Sequence, residues 1–387
     1  MMADLFDPTR YAAVRRPLLE ASTLPPECYT SPAFYEREVS NIFLRCWNLI
    51  GRADYVKGPG DFFTHTLAGS SLIIMHGEDG KIRAFVNSCR HRGAKLLEGE
   101  GNCKSIRCPY HSWLYSTTGK LRGANGMQNT RDFAAADYGL IEVRLEIWGG
   151  FLFVNFDPQC VSLREYLGDL DNFTESYRFE DMVTVKRRDF TVRTNWKSYI
   201  ENSIENFHLP TVHQKSIGGI KAEWNPIDGA PGNYVILQTR TTASRATLGN
   251  DATFDRIPTL RGPAAEGAQY ILIYPCTVIG ADLDCIWFKQ MAPDGPGLVR
   301  YSAGFCFPRA TVGRPDFEQI VPNYHKRFDV VISEDNGIAE TQLQGLANPL
   351  SRPGRFSTME SLVHVIDNWI LDKVVGPQPA AQRTAAE

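Results

Sequence analysis

Two short pairs of metal-binding side chains lie in one 23-residue window, and they constrain this chain more than any other feature. The first pair is Cys89 and His91, with one residue between them, and the second is Cys108 and His111, with two. Sixteen residues separate the pairs. One thiolate and one imidazole from each arm make up the ligand set of a [2Fe-2S] cluster with two cysteines on one iron and two histidines on the other. The window therefore predicts a cluster of this kind.

The mixed ligand set has a physical consequence for the cluster. Two neutral imidazoles in place of two thiolates remove negative charge and raise the reduction potential, so such a Rieske centre accepts electrons from a ferredoxin or a flavin. A structural zinc site is the alternative, because zinc also takes two cysteines and two histidines. Zinc fingers usually pair Cys with Cys and His with His, whereas each arm here mixes the two. The spacing favours an electron-relay cluster over zinc.

The window SCRHRGAKLLEGEGNCKSIRCPYHSW resembles the cluster motif of the Rieske non-haem iron oxygenases, in their α (large, terminal oxygenase) subunit. Gly119 closes a hairpin signal, YSTTGKL, at the place where that family has one. Rieske proteins that only carry electrons share the cluster motif but have no second metal site. The remainder of the chain must therefore decide between an oxygenase and an electron carrier or ligand-binding protein.

Bulk composition sets limits on the function. A length of 387 residues allows two domains, and a net charge of −3 gives no basic surface for nucleic acid. No apolar run is long enough to cross a membrane, for which about 18 residues are needed. The N-terminus has no apolar core of the signal-peptide type, and nine cysteines form an odd set that suggests reduced thiols. These features predict a cytoplasmic protein without a membrane or nucleic-acid partner.

The strand and helix signals predict an α+β protein. Short strand signals separated by turn residues fill residues 41–158 and indicate a small all-β Rieske domain. Residues 1–40 form a helical segment that we expect to pack on the catalytic domain. In residues 159–387, several strands are followed by a long helix from about Asp316 to Leu346, which is typical of a helix-grip (START-like) domain with an antiparallel sheet and an internal cavity.

A second metal site is indicated by the string ENSIENFHLPTVH. Glu205 and His208 are three residues apart, so we expect them to share a helix face, and Pro210 is expected to end that helix. His213 then returns from beyond the helix end. Two imidazoles and one carboxylate form the facial triad of non-haem Fe(II) oxygenases, which leaves coordination positions open for dioxygen and substrate.

The carboxylate of this triad must come from another part of the chain. The long terminal helix offers Asp329, Glu334, Asp335 and Glu340, and periodicity alone does not choose between Glu334 and Asp335. The string SEDNGIAETQLQGL resembles the third-ligand helix of the Rieske oxygenases, and this resemblance selects Asp335.

The resemblance also implies a role for Glu205 in electron transfer. The family places a carboxylate there that accepts a hydrogen bond from His208 of its own subunit and from the cluster ligand His111 of a neighbouring subunit. Most relatives have Asp at this position, and Glu is shared by some members of the family that act on quaternary amines. Asn202 is expected to hydrogen-bond near the iron. An electron path between chains implies a homotrimer, although a β subunit is not excluded.

The resemblance finally implies the reaction. A reductase, with or without a ferredoxin, passes electrons from NAD(P)H to the cluster and then to the mononuclear Fe(II), where O₂ is the cosubstrate. The expected reaction is monooxygenation of a small organic molecule, by hydroxylation or by oxidative N- or O-dealkylation. Arene cis-dihydroxylation is the alternative. An aromatic cavity lining suits either an arene or an alkylated ammonium. The candidate lining residues are Tyr199, Phe207, Tyr274, Trp287, Phe305 and Phe307.

Overall fold

The computed structural model describes residues 4–219 and 222–377, and they form two compact units. One unit is Leu44–Leu163, and the other combines Met1–Phe43 with Arg164–Glu387. The strand pairings of the described residues are antiparallel, and helices and strands are mixed as the sequence predicts for an α+β protein. In the described part of the chain, no helix is both long enough and apolar enough to cross a lipid bilayer.

The unit Leu44–Leu163 consists of ten short strands. Seven of them form one antiparallel sheet in the order β1-β10-β9-β4-β3-β2-β5, and the other three form a small sheet in the order β6-β7-β8. The strands are β1 Asn48–Arg52, β2 Asp61–Leu67, β3 Ser70–His76, β4 Ile82–Val86, β5 Glu100–Asn102, β6 Ser105–Arg107, β7 Leu114–Ser116, β8 Leu121–Gly123, β9 Glu142–Trp148 and β10 Phe151–Asn155.

The turn between β7 and β8 requires a glycine. Gly119 has φ +80, and its backbone N–H donates to the Ser116 carbonyl at 3.0 Å. A Cβ atom at this position would lie 2.6 Å from the ring of Phe85, which is too close for any side chain. The β7–β8 hairpin, which directly follows the second cluster arm, therefore needs glycine at this position.

The larger unit contains a seven-stranded antiparallel sheet in the order β11-β17-β16-β15-β14-β13-β12. Its strands are β11 Met182–Val192, β12 Glu223–Asp228, β13 Tyr234–Arg240, β14 Gln269–Ile273, β15 Thr277–Ala281, β16 Ile286–Pro293 and β17 Val299–Pro308. Within residues 4–219 and 222–377 the α-helices are α1 Glu27–Thr30, α2 Pro32–Glu38, α3 Leu163–Leu167, α4 Asp171–Thr174, α5 Trp196–Ser203, α6 Leu209–Val212, α7 Pro263–Glu266, α8 Arg309–Val312, α9 Phe317–Leu346 and α10 Ser361–Val374.

The long helix α9 packs against this sheet with its apolar face. Residues spaced by three or four along it, including Tyr324, Phe328, Val331 and Ile332, are buried, as expected for an amphipathic helix. The ring of Phe328 meets that of Phe305 on β17 at a centroid distance of 4.1 Å. The helix runs over 30 residues, nearly as the sequence predicts. Its buried face brings residues near its middle over the concave side of the sheet.

The N-terminal segment fixes the start of helix α5. Asn195 caps the helix by accepting a hydrogen bond from the backbone N–H of Lys197 at 3.0 Å. The indole of Trp196 donates to one Glu38 oxygen at 2.9 Å, and the ammonium of Lys197 lies 2.5 Å from the other. Both side chains of the Lys197–Glu38 pair are fully buried. These contacts orient α5, which leads directly into the second metal-binding string.

Candidate metal centres

The two arms of the first candidate site are tight loops closed by backbone hydrogen bonds. The N–H of Cys89 donates to the Ala94 carbonyl at 2.9 Å, and the N–H of Cys108 donates to the Trp113 carbonyl at 2.8 Å. Ser112 adopts φ +58 within the second loop, a conformation that helps the chain to reverse over few residues. Each cysteine therefore stands at the start of a loop whose tip carries the paired histidine.

The side chains of these arms fit the donor set of a [2Fe-2S] cluster. The thiols of Cys89 and Cys108 are 3% and 2% exposed and belong to one core cluster of the domain. The rings of His91 and His111 lie 4.7 Å apart, and the Nδ1 atom of each is buried without a hydrogen-bond partner among the described residues. Since buried polar atoms are normally paired, two orphaned imidazole nitrogens on the same two loops as two buried thiols indicate metal ligands.

Neighbouring groups orient the ligands and adjust their electronic state. The indole of Trp113 stacks on His91 with a centroid distance of 4.9 Å and an interplanar angle of 8°. The hydroxyl of Tyr115 accepts from the Arg90 N–H at 3.1 Å and lies 3.3 Å from the Cys89 sulfur, to which it is placed to donate. Burial raises the pKa of Tyr115, which keeps this donor protonated, and burial lowers the pKa of His111, which favours the neutral ligand form.

The second string adopts a different local structure from the one expected. Helix α5 ends at Ser203, and Glu205 and His208 lie in the turn between α5 and α6, so the expectation of one helix face is wrong. The reason is a local hydrogen bond: one Glu205 oxygen accepts from the backbone N–H groups of Phe207 and His208, which replaces helical carbonyl acceptors. Pro210 lies in the first turn of α6 instead of ending a helix, and a missing N–H is tolerated there.

This turn brings the two histidines together with one carboxylate of α9. The ligand atoms of His208, His213 and Asp335 all lie within 4.8 Å of one another. The Nε2 atom of His213 lies 3.1 Å from the Asp335 Oδ1 atom, and the Nε2 atom of His208 lies 3.8 Å from it. Two imidazoles and one carboxylate that converge in this way have the composition of a facial triad.

The other nitrogen of each imidazole is held by a glutamate. His208 Nδ1 lies 2.5 Å from Glu205 Oε1, and His213 Nδ1 lies 2.7 Å from Glu334 Oε2. An ionised glutamate accepts, so each Nδ1 carries the proton and each Nε2 presents a lone pair towards Asp335. Acceptors that face one another across such a short gap are satisfied by a proton or by a metal ion, and two imidazoles with one carboxylate suit a metal ion. The residues therefore fit a mononuclear metal ion.

A cavity opens onto this triad. It contains about 610 Å³ of space not occupied by atoms, part of which is continuous with solvent. Asn202, Glu205 and His208 line it and also line a second cavity within the same unit. The triad and Glu205 are therefore accessible to small molecules from within the helix-grip domain.

The predicted aromatic lining is only partly found at this cavity. Trp287 lies in the wall, whereas the other five candidates are not among the lining residues. Tyr199 hydrogen-bonds to the Tyr301 hydroxyl at 2.8 Å, and Phe207 is 54% exposed. The remaining three pack elsewhere: Tyr274 on Trp369, Phe305 on Phe328, and Phe307 against Tyr324.

The cavity wall contains residues that the sequence reasoning did not single out. They share either an aromatic ring or a positive charge, and they are Trp224, Arg245, Tyr270, Lys289, Arg327 and Phe328. The sequence does contain a signal for them. Lys289 interrupts the apolar string IWFKQMAP, and Arg327 lies on the apolar face of α9, so both charged side chains are expected to face the interior. Lys289 lies 3.7 Å from Asp335 Oδ2, and its ammonium is 4.5 Å from the centre of the Tyr199 ring.

Two family models match the chain. The Rieske [2Fe-2S] domain matches residues 46–134, and the ring hydroxylating alpha subunit (catalytic domain) matches residues 179–376, about half of the chain. The chain belongs to the ring-hydroxylating oxygenase α-subunit family. The predicted family, fold class and enzyme class of this oxygenase are thereby confirmed, and a [2Fe-2S] cluster and a mononuclear iron are its cofactors, with O₂ as cosubstrate.

Curated relatives of this oxygenase include enzymes of quaternary amines. A carnitine monooxygenase oxygenase subunit of Acinetobacter baumannii is 30% identical over 323 residues, which cover 81% of this chain and 84% of the relative. Chloroplastic choline monooxygenase of Atriplex hortensis is 26% identical over 363 residues, which cover 92% of this chain and 78% of the relative. Both matches extend over most of the chain.

Solved structures share the fold. The quaternary ammonium Rieske monooxygenase CntA in complex with L-carnitine matches with a TM-score of 0.77 and 19% identity. The match covers 95% of this chain and 98% of the CntA chain. Naphthalene 1,2-dioxygenase from Rhodococcus sp. matches with a TM-score of 0.75 and 18% identity. The match covers 92% of this chain and 95% of the dioxygenase chain. At these identities the likeness concerns the fold alone.

Proposed function

We propose that this oxygenase catalyses an O₂- and NAD(P)H-dependent monooxygenation of a small organic molecule, by hydroxylation or by oxidative N- or O-dealkylation. The observation that carries the proposal is the converging set His208, His213 and Asp335 at the end of a cavity with an aromatic wall. The similarity to choline and carnitine monooxygenases favours an alkylated amine as the class of substrate.

Each residue of the triad region has a distinct task in this proposal. His208, His213 and Asp335 hold the mononuclear iron. Glu205 keeps the Nδ1 proton of His208 in place and links this site to the electron donor. When bound, the cluster supplies electrons singly and the mononuclear iron activates O₂. The aromatic residues of the cavity wall would limit the access of bulk water to the reacting carbon.

The electron donor is proposed to be the cluster of a neighbouring subunit. Glu205 would then accept a hydrogen bond from His111 of that subunit, and the oxygenase would be a homotrimer. A reductase, with or without a ferredoxin, would deliver the electrons from NAD(P)H. Size measurement of the active protein tests this part, because a fully active monomer contradicts it.

The bond chemistry distinguishes the two monooxygenation outcomes. Insertion of one oxygen atom into a C–H bond gives an alcohol, and the second oxygen atom leaves as water after two electrons and two protons are supplied. If the attacked carbon is bonded to nitrogen or oxygen, the product collapses to an aldehyde with loss of the amine or alcohol. Arene cis-dihydroxylation, which adds both oxygen atoms, is the second candidate, because Trp224, Tyr270 and Trp287 offer ring surfaces to an arene.

A substrate screen with a generic reductase tests the proposal. Alkylated amines, aryl ethers and arenes are supplied with NADH, and aldehyde, hydroxylated product and cis-diol are measured separately. Aldehyde or a monohydroxylated product supports the proposal, and a cis-diol as the main product contradicts it. Metal analysis should give about three irons per chain, two from the cluster and one from the triad. About two irons in a protein that retains its cluster would contradict the mononuclear site.

A further inference from the structure

Two arginines in the cavity wall are buried, and neither guanidinium forms an ion pair within the described residues. Arg245 and Arg327 are 5% and 4% exposed, and the Nε atom of each is buried without a hydrogen-bond partner in the described residues. No described carboxylate is paired with either guanidinium, although ion pairs are common elsewhere in the chain. A buried guanidinium that is not in a direct ion pair is costly, and a ligand with a negative charge would reduce that cost.

The nearest acids do not fill this role. Asp282 accepts the backbone N–H groups of Arg245, at 3.1 Å, and Leu283, at 2.8 Å. Asp284 accepts the hydroxyls of Tyr324 at 2.5 Å and Ser244 at 2.8 Å. Their oxygens are thus occupied by neutral donors, and they offset the guanidinium charges only from a distance. Burial raises the pKa of Asp284 to about 7, so this pair carries less than two full negative charges near neutral pH.

A third cation lies in the same wall but is balanced. The ammonium of Lys289 is 3.7 Å from an oxygen of Asp335, which offsets its charge. A divalent iron at the triad would claim the same carboxylate and add positive charge to the cavity. With iron bound, the positive charge around Asp335 exceeds its single negative charge, and Arg245 and Arg327 add to this surplus. Coulomb repulsion from this surplus disfavours a purely cationic substrate such as choline.

We propose that Arg245 and Arg327 form an anion-binding subsite and that the substrate of this oxygenase carries a carboxylate. This inference rests on the proposed function and specifies its substrate class. Guanidinium groups suit carboxylates because two parallel N–H groups match the two oxygens. The Cζ atom of Arg245 lies 5.4 Å from the centre of the Trp224 ring, and Trp224, Tyr270 and Trp287 follow one another at centroid distances of 6.1 Å. The apolar or alkylammonium body of the acid would lie along these rings.

Equilibrium binding to the metal-loaded, full-length protein tests the subsite. Calorimetry is performed without O₂ or reductase on four ligands: γ-butyrobetaine, its methyl ester, choline, and 5,5-dimethylhexanoate, which keeps the carboxylate but replaces nitrogen with carbon. We expect γ-butyrobetaine to bind at least about 10-fold more tightly than its ester or choline, since a charge-assisted pair is lost in the latter two. Equal binding of acid and ester, or binding of choline alone, overturns the proposal.

Variants locate the effect. Arg245→Gln and Arg327→Gln should each reduce the acid-to-ester affinity ratio about 10- to 100-fold, and Arg327→Lys should restore part of it. The ratio is measured within one protein, so a change in the folded fraction does not imitate the result. Arg300→Gln is the matched control, because Arg300 is exposed on β17 and pairs with Asp294. Ratios that match the control in both arginine variants overturn the proposal.

The same ligands separate this inference from the proposed function. An acid that binds through the two arginines but gives no oxygenated product with reductase and O₂ contradicts the proposed function and leaves the subsite intact. Turnover of choline and γ-butyrobetaine with equal efficiency supports the oxygenase and overturns the subsite. Binding of 5,5-dimethylhexanoate as tightly as γ-butyrobetaine supports the subsite and indicates that the ammonium contributes little.

Discussion

Glu334 and Asp335 are neighbours on helix α9, yet they contact opposite nitrogens of the same imidazole. The Glu334 carboxylate lies 2.7 Å from Nδ1 of His213, and the Asp335 carboxylate lies 3.1 Å from Nε2. The hydroxyl of Ser216 also donates to Glu334 at 2.6 Å, which fixes that carboxylate in turn. One residue is thus placed to share a metal ion with His213, and the other to fix the tautomer and orientation of the ring.

This relationship predicts the effect of removing Glu334. In Glu334→Ala, His213 loses the acceptor that holds its Nδ1 proton, and we expect the affinity for the mononuclear iron to fall about 10- to 100-fold while the cluster is retained. Iron per chain after dialysis against a chelator measures the loss, and the visible spectrum reports the cluster. Glu318→Ala, an exposed change on the first turn of the same helix, serves as the control. Equal iron retention in both variants would refute an orienting role.

Replacement of Glu205 should separate metal binding from electron transfer. We expect Glu205→Gln to keep both metal sites, since its amide oxygen still accepts from His208, but to lose turnover because the negative charge between donor and acceptor is gone. The rate at which the reduced cluster is oxidised on mixing with O₂ and substrate gives the measurement. Glu223→Gln, an exposed change on β12, is the control. Unchanged steady-state activity would exclude this role for Glu205.

The contact between Tyr115 and Cys89 predicts a shift in reduction potential. A hydrogen bond to a cluster sulfur stabilises the more negative, reduced state, so its loss in Tyr115→Phe should lower the potential. A hydrogen bond worth about 1 kcal/mol corresponds to roughly 40 mV for one electron. Redox titration followed by the visible or paramagnetic signal checks this value. Tyr110→Phe is the control, because Tyr110 is exposed and its hydroxyl contacts Arg92 instead. An unchanged or higher potential in Tyr115→Phe would contradict the assignment.

The buried pair Glu38–Lys197 predicts a non-additive effect on stability. Glu38→Gln or Lys197→Met alone leaves an uncompensated buried charge and should cost about 3–5 kcal/mol, whereas the double variant should lose less than the sum. Denaturant unfolding of the four proteins completes the double-mutant cycle. The exposed pair Arg178–Asp181 provides a comparison in which each change should cost about 1 kcal/mol or less. Additive losses at Glu38 and Lys197 would mean that the two charges do not depend on one another.

The buried carboxyl of Glu201 predicts a pH dependence of stability. Burial raises its pKa to about 7, against the lowering effect of the Tyr29 hydroxyl and Lys197. The folded state therefore binds more protons than the unfolded state, and the stability that this group contributes is present below its unfolded pKa and lost as the pH rises through about 7. Between pH 6 and pH 8 the wild type should lose about 1 kcal/mol more than Glu201→Gln. Thermal unfolding at both pH values tests this, and equal losses would contradict a raised pKa.

Much of this protein follows from short-range pattern in the sequence. The C-x-H and C-x-x-H pairs define a cluster ligand set because both donors of each arm lie in one tight loop, and the alternation of apolar residues predicts the strands and the long helix α9. The family, the α+β class and the cofactors followed from these patterns and from the resemblance they carry. Local pattern suffices where the interacting residues are close in the chain.

Other features were decided only by the tertiary structure. Periodicity on α9 left Glu334 and Asp335 equivalent, and only the position of His213, more than a hundred residues earlier, gives them different partners. The helical interpretation of Glu205 and His208 failed because the Glu205 side chain competes for backbone N–H groups. The aromatic candidates were chosen by residue type, but which rings and which arginines face the cavity depends on how α9 crosses the sheet. The cluster ligands are thus defined by local sequence, whereas the choice of the third iron ligand and the charge and shape of the cavity arise from contacts between distant segments.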